Sequence, residues 1–156
     1  MTHELVVRSG ATPDVRQAVT DVVIRYATAI DRRDWALFRT CFTDDCVADY
    51  GAIGRWRGVA DLVRFMENVH ARCGHSLHRI SNQAVSGDAA PFFVRSYVDA
   101  LVLASDNETG TRSCGWYDDE IVSTKDGWRI ATRAFTMVYV TADIGARLVT
   151  TSASDL

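Results

Sequence analysis

Residues 75–141, HSLHRISNQAVSGDAAPFFVRSYVDALVLASDNETGTRSCGWYDDEIVSTKDGWRIATRAFTMVYVT, decide the fold. The stretch divides into four β segments, 75–86, 91–105, 111–123 and 127 to about 141. All four are rich in β-branched and aromatic residues. Between them stand SGDAAP, SDNETG and TKDG, whose Gly, Pro, Asn and Asp supply the backbone conformations that reverse a chain. Connections this short join neighbouring antiparallel strands, so the spacing predicts a meander.

Toward the N-terminus the hydrophobic period changes from that of a strand to that of a helix. Thr12-Pro13-Asp14 is a helix start: an N-cap, a residue pre-set for the first turn, and an acid at the positive end of the dipole. Val15, Val19, Val22, Val23, Tyr26 and Ile30 then form one apolar stripe to about residue 31. Asp34 reads as the N-cap of a short second helix carrying Trp35, Leu37, Phe38, Cys41 and Phe42. A brief strand over 47–50 leads into a Gly-rich turn region, 51–58, with Ile53 and Trp56 in a partner strand. A third helix follows from about Val59, with Leu62, Phe65, Met66 and Val69 on one face. Helices followed by strands mean α+β. The expected architecture is a cone-shaped barrel, three N-terminal helices packed in a curved antiparallel sheet around an aromatic-lined apolar pocket.

A chain of 156 residues fits a single domain, 1–156, with its core over about 13–145. Residues 1–11 read as a flexible leader, and the tail from about Gly145 either caps the pocket or moves freely. The hydrophobic fraction of 47% and charged fraction of 24% are those of an ordinary globular protein, which excludes a disordered or fibrous class. With a net charge of −3 and no basic cluster, nothing attracts a nucleic acid. The opening MTHELVVRSG has no apolar core of signal-peptide length and no apolar run is long enough to span a bilayer. The expectation is a cytoplasmic protein without membrane contact. Cys41, Cys46, Cys73 and Cys114 lack metal-binding spacing and read as free, mostly buried thiols.

The chemistry centres on Asp31, in YATAIDRRDW, and His78, in GHSLHRISNQ. An acid at a helix C-terminus opposes the dipole and needs another reason to stand there. Alternation puts His78, Ile80 and Asn82 on one face of their strand, with Leu77 and Arg79 on the other. Phe93, Arg95, Tyr97, Asp99 and Leu101 share a face of the next strand. Pairing the two strands is expected to bring Asp99 and Tyr97 into one cavity with His78, while Asp31 and Tyr26 arrive from the first helix. An imidazole, two carboxylates and a phenol in an apolar shell suit proton transfer. The same residues also fit a helix-terminal acid and a satisfied core histidine, and periodicity leaves both readings open. His75 and His78 point to opposite faces of a strand and make poor co-ligands, so no metal site is expected there. His70, near the end of the third helix where a cation suits the dipole, reads as structural.

The segment YATAIDRRDWALFRTCFTDDCVADY, together with LHRISNQ and the terminal DGWRIATR, resembles the SnoaL-like branch of the nuclear transport factor 2-like superfamily over about residues 13–145. The wording is similar to its scytalone dehydratases, bile acid 7α-dehydratases and lindane dehydrochlorinase, cone-shaped proteins that eliminate HX with an Asp–His pair and no metal. The resemblance implies that Asp31 orients His78 as the general base and that Tyr26 and Asp99 assist it. It also implies that Tyr50 is a pocket tyrosine, and Asn82, Tyr97 and Arg133 are expected as further substrate contacts.

The implied activity is a cofactor-independent lyase, a dehydratase acting on a small hydrophobic ring substrate such as a steroid or polyketide-like intermediate. A ketosteroid isomerase would need a base carboxylate where Tyr50 stands, with Asp49 on the opposite face. A polyketide cyclase and a non-catalytic small-molecule-binding protein are also compatible with such a pocket. Residues such as Phe92, Val94, Val98 and Val102 leave an apolar outer sheet face, and the relatives imply a homotrimer, with dimers also occurring in the superfamily.

Overall fold

The computed structural model describes residues 10–142, so most of the expected leader and tail lie outside the described residues. Helix α1 (Pro13–Asp31) begins at Thr12, whose hydroxyl accepts the Val15 N–H at 3.4 Å. Its stripe Val19, Val22, Val23, Tyr26 and Ile30 is buried, as the period demands. The helix ends in a Schellman turn. The Asp34 N–H bonds the Ala29 carbonyl and the Arg33 N–H bonds that of Ile30, with Arg33 in the left-handed region at φ 55°. Asp34 then caps α2 (Trp35–Arg39) by accepting the Leu37 N–H at 2.9 Å.

Helix α2 is shorter than its apolar pattern suggests. Cys41 lies beyond it and Phe42 opens β1 (Phe42–Asp49), because the Thr40 hydroxyl and N–H both turn back onto the Leu37 carbonyl and end the helix. Tyr50 and a 3-10 turn, Gly51–Ile53, connect to β2 (Arg55–Arg57), and α3 (Val59–His70) follows. The meander is β3 (Cys73–Ser86), β4 (Phe92–Ala104), β5 (Gly110–Thr124) and β6 (Gly127–Thr141).

The six strands form one sheet of an α+β fold, in the order β2-β1-β6-β5-β4-β3. The four meander strands pair antiparallel as expected, but β1 lies parallel to β6, so the sheet is mixed. Register shifts at Cys73/Ser76, Ser81/Ala84, Cys114/Gly115 and Glu120/Ile121 bend the strands. The curved sheet stays open, with β2 and β3 at its edges, and α1 packs on β3, β4 and β6.

Burial alternates along β4. Phe92, Val94, Ser96, Val98 and Ala100 face the helices, and Phe93, Arg95, Tyr97 and Asp99 lie on the other side. Phe92, Val94 and Val98 are therefore core residues, not the outer apolar face expected of them. That face instead carries Leu77, Phe93 and Tyr97, with Met137, Val138, Tyr139 and Val140 exposed near the end of β6.

Candidate active site

The end of α1 meets the beginning of β3. Asp31 sits at the last helical position, and the Schellman turn carries the chain away so that its carboxylate is left facing the strand. Asp31 Oδ2 accepts the backbone N–H of His78 at 2.7 Å. Its Oδ1 lies 2.7 Å from His78 Nδ1 and 2.9 Å from Ser76 Oγ. An ionised carboxylate only accepts, so the neutral form of the imidazole carries its proton on Nδ1 and has its lone pair on Nε2. The imidazole is 7% exposed and the Asp31 side chain 19%, so the pair is shielded but not sealed. This accounts for the acid at the negative end of the helix: three donors replace what the dipole withholds.

Tyr26 lies beside the imidazole, its ring edge-on to that of His78 with centroids 6.5 Å apart. Its hydroxyl is 3.1 Å from that of Tyr50, and both rings are buried. Burial pushes both phenols well above their ordinary pKa, so both stay protonated hydroxyls at neutral pH; the charge of Arg133 pulls the other way. Burial raises the Tyr117 phenol likewise.

Arg133 is fully buried on β6. Its guanidinium makes a bidentate pair with Asp119 at 2.7 Å per bond, both side chains 0% exposed. It lies 4.0 Å from the ring centres of both Tyr26 and Tyr117. Two cation–π faces and one carboxylate neutralise a charge that burial alone would not tolerate. Burial raises the Asp119 carboxyl while the Arg133 charge opposes it. For Arg133 burial works against the charged form, yet the Asp119 carboxylate holds the guanidinium well above its ordinary value. One nitrogen, Arg133 Nη1, has no hydrogen-bond partner. The guanidinium also acts on the Tyr50 hydroxyl, lowering that phenol's pKa against the larger effect of burial.

Of the expected site residues, the fold gathers Asp31, His78, Tyr26, Tyr50 and Arg133. Asp99 and Tyr97 are corrected: the register pairs Asp99 with Arg79 and His78 with Ala100, which puts Asp99 on the face away from His78. Asp99 accepts from Arg112 at 2.7 and 2.8 Å and from Arg79 at 3.0 Å. Tyr97 is 47% exposed on that outer face. The expectation failed because alternation within each strand does not fix which faces of two strands coincide. Asn82 is exposed within the β3 register shift, at φ 47°, where alternation with His78 is broken.

Asp49 points away from Tyr50, accepting the Gly51 N–H and pairing with exposed Arg55. An isomerase-type carboxylate is thus not in this cluster. His70 Nδ1 lies 2.8 Å from the Met66 carbonyl and its ring packs on Trp35. Burial lowers its pKa, so it is the structural residue expected, held neutral in the core and not as a cation at the helix end. No group of three or more His, Cys, Asp or Glu side chains among the described residues is placed to hold a metal ion.

Asp119, Ser76, Arg33 and a site role for Tyr117 were not expected from the sequence. Asp119 and Tyr117 do alternate together on β5, and Asp119 pairs with Arg133 across strands. A buried acid and base in facing strands was the available signal.

The SnoaL-like domain model matches residues 12–134. The uncharacterized protein Rv2910c of Mycobacterium tuberculosis is 31% identical over 128 residues, 80% of this chain and 86% of its own length. A candidate aromatic ring hydroxylase from Novosphingobium aromaticivorans superposes with TM-score 0.78 at 28% identity, over 85% of this chain and 95% of that one. A candidate scytalone dehydratase from the same organism gives TM-score 0.75 at 20% identity, with coverages of 84% and 88%. A type 2 hexachlorocyclohexane dehydrochlorinase, LinA, gives TM-score 0.77 at 18% identity, with coverages of 86% and 93%; the last two likenesses are of fold alone.

Proposed function

The chain belongs to the SnoaL-like domain family of the nuclear transport factor 2-like superfamily, and from that premise we propose that it is a cofactor-independent dehydratase of small hydrophobic ring compounds bearing a carbonyl. The observation that carries the reading is the 2.7 Å contact between Asp31 Oδ1 and His78 Nδ1, which leaves Nε2 as a base. In the proposed step Nε2 takes a proton from the carbon beside the carbonyl, and the C–H electron pair forms an enolate. The enolate then collapses, forming a carbon–carbon double bond and expelling the β-hydroxyl. The proton held by His78 returns to the leaving oxygen, so water is lost and the base is regenerated.

Asp31 holds the ring orientation and stabilises the imidazolium while it exists. Of the paired Tyr26 and Tyr50 hydroxyls one donates to the other, and the hydrogen left on the second is a donor for the carbonyl oxygen as charge develops on it. The protein acts as a homotrimer, with the exposed apolar side chains of the outer sheet face covered by neighbouring subunits.

The test is turnover of a panel of cyclic β-hydroxy ketones, followed by ultraviolet absorbance of the enone formed. Wild-type protein is expected to dehydrate at least one, and His78→Gln to lose about 100- to 10,000-fold in kcat. Equal rates in the two proteins contradict the mechanism. Binding of the ketones without turnover, and with no dependence on pH, would favour the non-catalytic reading.

A further inference from the structure

Arg33 occupies the left-handed position of the turn that ends α1, a place where glycine is the ordinary choice and an L side chain is strained. Its guanidinium does not go to solvent. Nη1 donates to the Ile30 carbonyl and to Ser76 Oγ, each at 2.7 Å, and Nη2 donates to the Gly74 carbonyl at 2.7 Å. One side chain thus joins the last turn of the helix to the first residues of β3. Gly74 fits there because its strand runs so close to Ala104 and Asn107 that a Cβ would collide with the Ala104 carbonyl oxygen.

The chemistry at Ser76 has a fixed direction. A guanidinium can only donate, so Ser76 Oγ must accept from Arg33 and has its single hydrogen left for Asp31 Oδ1 at 2.9 Å. Asp31 Oδ1 receives two hydrogens, one from Ser76 and one from His78, while Oδ2 is held by the His78 N–H. The carboxylate therefore cannot rotate without breaking a bond at either oxygen. Ser76 itself is buried.

We infer that Arg33 and Ser76 form a one-way hydrogen-bond relay that locks the Asp31 carboxylate in the orientation that keeps the proton on His78 Nδ1, and so keeps Nε2 free. This rests on the Asp31–His78 base proposed above. Arg33 and Ser76 are positioning residues that act through Asp31.

The test reads the imidazole directly and needs no substrate. Long-range ¹⁵N–¹H spectra of ¹⁵N-labelled full chain, at a pH where the ring is neutral, distinguish a protonated Nδ1 from a protonated Nε2. Wild type should show His78 as a single Nδ1–H tautomer. Ser76→Ala and Arg33→Lys should give a mixture, with solvent exchange of the Nδ1 proton accelerated about tenfold for the one lost hydrogen bond. The lysine keeps the charge but not the planar fork that spans three acceptors. Arg33→Gly, which suits the left-handed backbone, should give the same mixture in a well-folded protein. Ser76→Thr, which keeps the hydroxyl, should restore the single tautomer.

An unchanged tautomer and exchange rate in Ser76→Ala, Arg33→Lys and Arg33→Gly overturn the relay if Asp31→Asn abolishes the Nδ1–H form. An Asp31→Asn spectrum identical to wild type overturns the relay and the dyad together.

Discussion

At the residue scale, the site depends on charges that the interior accepts only in pairs. Arg133 and Asp119 are both fully buried, so removing one partner leaves the other uncompensated. Asp119→Asn should destabilise the protein by about 3–5 kcal/mol in urea denaturation, whereas the double variant Arg133→Met with Asp119→Leu should cost less than either single change. Additive losses would mean that the two side chains are stabilised independently. An acid at a helix C-terminus marked Asp31 in the sequence, but periodicity left a cap residue and a core histidine open as well, and it was the family resemblance that implied its pairing with His78. Asp119, Ser76 and Arg33 were not legible there, since each acquires its meaning from partners 14 to 45 positions away.

At the scale of elements, two interactions tie pH to stability with the same sign. His70 holds α3 against Trp35 and is kept neutral by burial, so its folded pKa lies below the unfolded value of about 6.5. The unfolded chain then binds more protons in mild acid, and stability falls as pH drops below about 6.5. His70→Gln should flatten the change in urea midpoint between pH 7 and pH 5; an unchanged slope would assign it elsewhere.

On the outer face, hydrogen bonding to Arg112, with Arg79 adding its charge, depresses Asp99 to about 2 and straps β3, β4 and β5. That stability is present above the unfolded value of about 4 and lost as pH falls through about 2. Because the arginines are half exposed, Asp99→Asn should cost only about 1 kcal/mol at pH 7 and nothing near pH 2. The strands themselves were readable because Gly, Pro, Asn and Asp punctuate them. Their faces were not, since a shift of one residue exchanges inside and outside, and such a shift separates Asp99 from the cavity expected to hold it.

At the scale of the molecule, the α+β order and the three helices followed from periodicity, while the parallel pairing of β1 with β6 did not. No local signal marks it, because it joins segments more than eighty residues apart. The same long-range closure sets the end of α1 on β3 and brings Tyr50 against Tyr26. The homotrimer proposed from the family resemblance should give a trimer mass in sedimentation, and Tyr97→Glu, on the exposed outer sheet face, should shift it toward monomer. A monomeric wild type would remove the proposed interface.

The proposed chemistry requires Asp31 and His78 to act as one base. The double-mutant cycle of Asp31→Asn and His78→Gln, measured as enone formation from a turned-over cyclic β-hydroxy ketone, tests this most directly. Each single variant should lose about 100- to 10,000-fold in kcat and the double variant scarcely more than His78→Gln alone. Losses that multiply, or an Asp31→Asn protein as fast as wild type, would contradict it.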